Sequence, residues 1–210
     1  MHKVIEDLNW RYAVKKYDPS KKLTEEQVNV IKESLRLVPT SYGLQPLKYL
    51  IIEDEELRSK LQVASYGQTQ VVDASHLIVL CSYLDVYDEH VDTYMKNIVQ
   101  IRDVTLESTA KFGDYIKEVV SKLSQKEKED WNSKQAYIAL GQLMHTCASL
   151  RIDATPMEGF DSERYGEILG LKEKNLKATL VCAIGYRSDE DAAQHRKKVR
   201  RMHEELFETI

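Results

Sequence analysis

The chain has 210 residues, a formal net charge of -4, 42% hydrophobic residues and 30% charged residues. That length supports one good core and a single domain over 1–210, and the mildly acidic balance argues against a general nucleic-acid binder. No apolar run reaches the ~20 residues of a membrane span, and the opening Met1 to Asp7 turns acidic at once without a signal-like apolar stretch, so a cytoplasmic protein is expected.

Ile5 to Val14 predicts a short amphipathic helix. Thr24-Glu25-Glu26-Gln27 is a capping box opening a helix to about Leu37, which Pro39 stops. Lys48 to Glu53 reads as a strand. Asp54 caps a helix through about Ala64, and the apolar run His76 to Ser82 suits a buried central strand. From Val86 to about Lys122 the pattern is helical, with a break expected between Lys111 and Gly113. Ser124-Gln125-Lys126-Glu127 is a second capping box, starting a helix to about Leu150. In it Tyr137, Leu140, Leu143, Met144 and Cys147 form one apolar stripe that Ile138 broadens. A short β segment precedes Pro156, Asp161 caps a helix ending at Gly170, and Lys177 to Tyr186 is the last strand. Gln194 to Ile210 is highly charged and has no core face. Strands do not alternate regularly with helices, so an α+β fold is expected, many helices around a few strands.

The three cysteines, Cys81, Cys147 and Cys182, sit in apolar surroundings. An odd count without CxxC spacing predicts plain core thiols rather than a disulfide framework or zinc site. The six histidines are dispersed with no HxxxH or HExxH pattern, and no metal site is expected.

No GxGxxG turn follows a strand, and no GxxxxGK[ST] loop occurs, so a nucleotide cofactor would need another device. Arg11 and Lys15 lie four apart on the expected first helix. Lys198 and Arg200 alternate in an extended tail. Four converging cations suit a phosphate dianion; the alternative is a solvated basic surface. Thr40 and Ser41 offer hydroxyls, Gly43 permits a tight backbone, and Gln45 carries a donor and an acceptor, although an ordinary polar turn has the same composition. In Pro156-Met157-Glu158-Gly159 the glycine lets backbone amides approach a planar ligand. A backbone role is preferred there to an acid–base role for Glu158, a simple loop being the alternative. Asp73-Ala74-Ser75-His76 orders the start of a strand, and Ser41 lacks the His and Asp partners of a hydrolase.

Taken in order, Arg11-Tyr12-Ala13-Val14-Lys15-Lys16-Tyr17-Asp18, Pro39-Thr40-Ser41 with Gln45-Pro46, Asp73-Ala74-Ser75-His76, Pro156-Met157-Glu158-Gly159-Phe160 and Lys198-Val199-Arg200 resemble the FMN-dependent, oxygen-insensitive nitroreductases over nearly the whole chain. The resemblance implies a nitroreductase-like α+β fold, helices around a small central mixed β-sheet, in an intertwined homodimer. It implies FMN as cofactor, NADH or NADPH as donor, and ping-pong hydride transfer through flavin N5 to nitroaromatic or quinone-type acceptors. Arg11, Lys198 and Arg200 would hold the phosphate, with Tyr12 and Ala13 contributing main chain. Lys15 would reach the O2 side of the ring, and Gln68 and Gln70 would edge the pyrimidine or ribityl chain. Pro156, Met157, Glu158 and Gly159 would cover one ring face, with the amide of Glu158 or Gly159 near N5. Thr40, Ser41 and Gly43 would come from the second subunit, around which the tail wraps, and Gln45 would contact the flavin or ribityl edge.

Residues from about Asp92 to Leu123 would form a lid, with Tyr94, Phe112 and Tyr115 as gates and Tyr42, Phe112 and Tyr115 facing substrate; ordinary packing is the alternative. Ala13 stands where many relatives have serine, Gly43 replaces an asparagine, Gln70 a lysine and Leu47 an aromatic residue. These departures bear on substrate preference more than on FMN binding. Other uses of FMN, in enone, pteridine or flavin reduction, remain open. So do a redox sensor with little turnover and a flavin-free helical interaction protein.

Overall fold

The computed structural model describes residues 2–210. Local signals set most of its elements. Helix α1 (Lys3–Trp10) is followed by α2 (Glu25–Arg36), whose capping box is complete: Gln27 N donates to Thr24 Oγ1 at 3.2 Å and Thr24 N donates to Gln27 Oε1 at 2.9 Å. Strand β1 (Leu47–Ile52), helices α3 (Glu55–Val63) and α4 (Gln70–Asp73), and strand β2 (His76–Tyr83) follow. Helices α5 (Asp88–Arg102) and α6 (Leu106–Ser121) form a hairpin, and α7 (Gln125–Ser149) opens on the second capping box. Strand β3 (Asp153–Met157), helix α8 (Ser162–Leu169), strand β4 (Leu176–Gly185) and the single turn α9 (His203–Leu206) complete the chain.

The strands lie in the order β1-β2-β4-β3, and every ladder is antiparallel, where a mixed sheet was expected. Period-two alternation sends β2 to both faces. Leu77, Val79 and Cys81 join Val181, Ala183, Leu61 and Tyr165 on the face covered by α3 and α8. Ile78 and Leu80 join Leu180, Cys182, Ile31 and Leu143 on the face covered by α2 and α7. All three cysteines are buried and unpaired. No described helix is long and apolar enough to cross a membrane, and no group of His, Cys, Asp or Glu among the described residues is arranged to hold a metal.

Three local expectations are corrected. Helix α1 stops at Trp10, and Arg11 is its extended C-cap, so Arg11 and Lys15 do not share a helix face. The hairpin breaks at Asp103, in the left-handed region, and Thr105 caps α6. Gly113, where the break was expected, lies inside α6, and its missing side chain makes room for Met95: a Cβ there would meet Met95 Cγ at 3.0 Å. On α7 the buried stripe runs Ala136, Ala139, Leu140, Leu143 and Cys147, while Tyr137 and Ile138 are nearly half exposed.

Candidate functional site

Residues 11–18 leave α1 as an extended segment stitched to the far end of the chain. Asp18 N donates to Tyr186 O, Ser188 N to Lys16 O, and Tyr17 bridges Arg187. Tyr17 is fully buried, its hydroxyl 2.8 Å from Ala183 O and 2.9 Å from Thr155 Oγ1, which in turn donates to Val14 O. Arg187 holds Asp153 through two guanidinium nitrogens and stacks over the rings of Trp10 and Tyr12.

The first cluster of expected residues assembles here. Lys198 Nζ donates to Arg11 O at 2.5 Å and also to Leu8 O, anchoring the tail on the end of α1. Burial lowers the Arg11 pKa first and Arg200 lowers it further, and Lys198 is lowered by burial, then by Arg11 and Arg200. Arg11 Nε is buried and has no hydrogen-bond partner. Three cations thus crowd one another, with no ion pair to a carboxylate for any of them among the described residues. A convergent set of donors and positive charge is what a phosphate dianion requires.

A second cluster joins the segments around residues 68 and 158. Gln68 Nε2 donates to Gly159 O at 2.7 Å and to Ser65 O at 3.1 Å. Gln70 is buried at the start of α4, in the segment that Arg58 secures by donating to Val71 O, Ala74 O and Ser75 O. Pro156 and Met157 end β3, and Glu158 is exposed beyond it. Burial raises the Tyr137 phenol, and its hydrogen bond to Glu158 adds to this.

The third cluster surrounds Thr40. Ser41 N donates to Gln135 Oε1 at 2.9 Å, so α7 holds the turn through one buried carboxamide. Tyr42 and Gln45 both have positive φ, and Thr40 Oγ1 accepts from Gln45 N. The Gln45 side chain donates to Arg36 O and Val38 O at the end of α2. Tyr42 makes edge contacts with Phe112, Tyr115 and Trp131, which bring the hairpin onto the turn. Among the described residues, no hydrogen bond or ring contact links Thr40, Ser41, Tyr42 or Gly43 to Arg11, Gln68, Glu158 or Lys198. A groove of about 870 Å³ between α2 and α7 contains none of the candidate residues.

Sequence reasoning missed the supporting residues Gln135, Arg187 and Asp191. Asp191 sits in the acidic run Asp189-Glu190-Asp191, and its one local signal is the capping of the turn at Ala192–His195.

The sequence model of the nitroreductase family matches residues 8–186. A Staphylococcus haemolyticus protein described as a candidate NAD(P)H nitroreductase is 34% identical, over 99% of this chain and 97% of its own. The crystal structure of a candidate nitroreductase from Bacillus subtilis superposes with a TM-score of 0.88 at 20% identity, covering 99% of both chains. A candidate nitroreductase from Exiguobacterium sibiricum, crystallised in complex with FMN, has a TM-score of 0.85 at 20% identity, over 99% of this chain and 97% of its own. By the family model over residues 8–186 and the 34% identity to a relative over 99% of its length, the chain belongs to the nitroreductase family.

Proposed function

We propose that this chain is an FMN-dependent NAD(P)H oxidoreductase. Residues 1–210 form one domain, which works as a homodimer on nitroaromatic or quinone-type acceptors. The observation that carries this reading is the orphaned, buried Nε of Arg11 among cations that have no carboxylate partner. An unpaired buried donor is costly, and a phosphate oxygen satisfies it. Arg11, Lys198 and Arg200 hold the phosphate, with the main chain of Tyr12 and Ala13 beside it. Lys15 faces the O2 side of the ring, and Gln68 and Gln70 edge the pyrimidine or ribityl chain. Pro156, Met157, Glu158 and Gly159 line one ring face, where their backbone positions the cofactor and Glu158 does no proton transfer. Bound FMN supplies the two-electron chemistry between nicotinamide and acceptor. Tyr42, Phe112 and Tyr115 shape a cleft that donor and acceptor occupy in turn.

The reading includes a site shared by two subunits, as the family resemblance implies. Thr40, Ser41 and Gly43 then serve the flavin held by the other copy. The tail supports this: Val199 is 84% exposed, Met202 66% and Phe207 69%, so its apolar side chains have no cover on their own protomer. Three buried, unpaired thiols are consistent with a cytoplasmic enzyme.

The test is the visible absorption spectrum of the purified protein, before and after anaerobic NADH and then NADPH. A flavin spectrum that bleaches on mixing and returns with a quinone or nitroaromatic is the expected result. A flavin that does not bleach points instead to a sensor, and a protein that takes up no FMN overturns the reading. Sedimentation of the loaded protein as a dimer tests the shared site.

A further inference from the structure

Asp191 is 3% exposed and receives four hydrogen bonds. Its Oδ2 accepts from Lys15 N at 2.8 Å, from the Tyr12 hydroxyl at 3.0 Å and from Lys16 N at 3.3 Å. Its Oδ1 accepts from Ala193 N at 2.9 Å. One buried carboxylate therefore ties together the segment after α1 and the turn that leads into the tail. These two segments carry Arg11 and Lys15 on one side and Lys198 and Arg200 on the other. Among the described residues, no lysine or arginine side chain pairs with Asp191; its partners are two backbone amides of one segment, one of the other, and a phenol. Such a pattern fixes backbone direction rather than neutralising charge.

Tyr12 is held twice, with its ring under Arg187 at 4.5 Å and its hydroxyl on Asp191. With that side chain fixed, the amides of residues 12 and 13 have a set orientation. With the amide of Lys15 bonded to Asp191, the side chain of Lys15 leaves the backbone in a set direction.

We propose that Asp191 is a positioning residue for the cofactor site: through the amide of Lys15 and the hydroxyl of Tyr12 it sets the Lys15 ammonium and the phosphate loop against the tail cations. This rests on the FMN reading above. It predicts that Asp191 acts on flavin properties through Lys15, a coupling that a purely structural carboxylate would lack.

The experiment compares the full-length wild type, Asp191→Asn, Lys15→Met and the double variant. FMN affinity is read by fluorescence titration and the flavin midpoint potential by anaerobic redox titration. Asp191→Asn is expected to weaken FMN binding about tenfold, the scale of losing a charge-assisted hydrogen bond. It is also expected to lower the potential, as Lys15→Met does, and to add little to the potential in the Lys15→Met background. Wild-type affinity in a folded Asp191→Asn, or additive effects on the potential, overturns the proposal. If the wild type itself takes up no FMN, the functional reading fails, a result distinct from the first. If Asp191→Asn does not fold, Tyr12→Phe decides: it deletes one donor and keeps the carboxylate, and unchanged FMN affinity and potential in that variant overturn the proposal.

Discussion

Replacing Arg11 by methionine should move stability in opposite directions with and without FMN. Methionine keeps the packing of the arginine stem. It removes a buried Nε–H without a partner and a cation crowded by Arg200 and Lys198. An orphaned buried donor costs about 1–3 kcal/mol. Arg11 is only partly buried, and solvent screens its repulsions, so the low end applies and FMN-free Arg11→Met should be about 1 kcal/mol more stable than wild type. With FMN the lost phosphate contact is worth about 1.5–3 kcal/mol, and a middle value raises the dissociation constant about 30-fold. At FMN set to about 100 times the wild-type dissociation constant, wild type gains about 2.7 kcal/mol from binding and the variant about 0.9. The net difference then reverses to about 0.8 kcal/mol against the variant. Urea denaturation at one fixed protein concentration, with and without FMN, reads both numbers. A loss of FMN-free stability on substitution would refute the reasoning, because it would mean that Arg11 makes structural contacts instead of waiting for an anion.

Gly43 has φ +77°, and a Cβ there would lie 2.4 Å from Tyr94 Oη, so Gly43→Ala should destabilise by about 1–3 kcal/mol through strain and clash. Adding Tyr94→Phe should recover part of this by removing the hydroxyl, and a double variant no more stable than Gly43→Ala alone would contradict the contact. Truncation after His195 keeps the Asp191 hydrogen bonds but removes Lys198, Arg200 and the exposed apolar tail. It should give a protein that neither retains FMN nor sediments as a dimer; a flavin-loaded dimer would refute the role of the tail. Burial holds the His76 pKa below its usual value, with Glu53 opposing the shift and Arg58, Lys22 and Lys32 adding to it. A folded pKa below the unfolded value of about 6.5 means a stabilising contribution fully present above that pH and lost as pH falls through the folded pKa. His76→Gln should therefore flatten the decline in urea midpoint between neutral and mildly acidic pH, and an equally steep decline would exclude His76 as its source.

Elements carried by local chemistry were legible in the sequence. The capping boxes at Thr24 and Ser124 place α2 and α7, and the apolar run from His76 places the central strand. Misreadings arose where long-range partners decide the conformation. Helix α1 could continue past Trp10 on propensity, but Asp191 takes the amides of Lys15 and Lys16, which lie more than 170 residues away in sequence. Gly113 signals a break, yet it lies inside α6, where its missing side chain serves the close approach of Met95. Tyr137 matches the spacing of the stripe on α7, but Ala136 and Ala139 take the buried positions beside Ile78 and Leu80, and Tyr137 lies outward with its hydroxyl on Glu158. Within the candidate site, residue type pointed to the cations Arg11, Lys198 and Arg200, which lie near one another, whereas the four-residue spacing of Arg11 and Lys15 misled because α1 ends at Trp10. Gln135, Arg187 and Asp191 were not legible, because they serve the site by bonding to backbone and to other side chains, and no periodicity marks such residues.

The two tryptophans of the chain stand at different parts of the site. Trp10 lies beneath Arg151 at 5.1 Å and Arg187 at 4.4 Å, beside the segment that carries Arg11. Trp131 lies against Tyr42, where the α5–α6 hairpin meets the Thr40 turn. The molecule thus contains two separate optical reporters. A Trp131→Phe chain emits only from the phosphate end and a Trp10→Phe chain only from the hairpin end, so cofactor capture and hairpin movement can be timed independently without an added label.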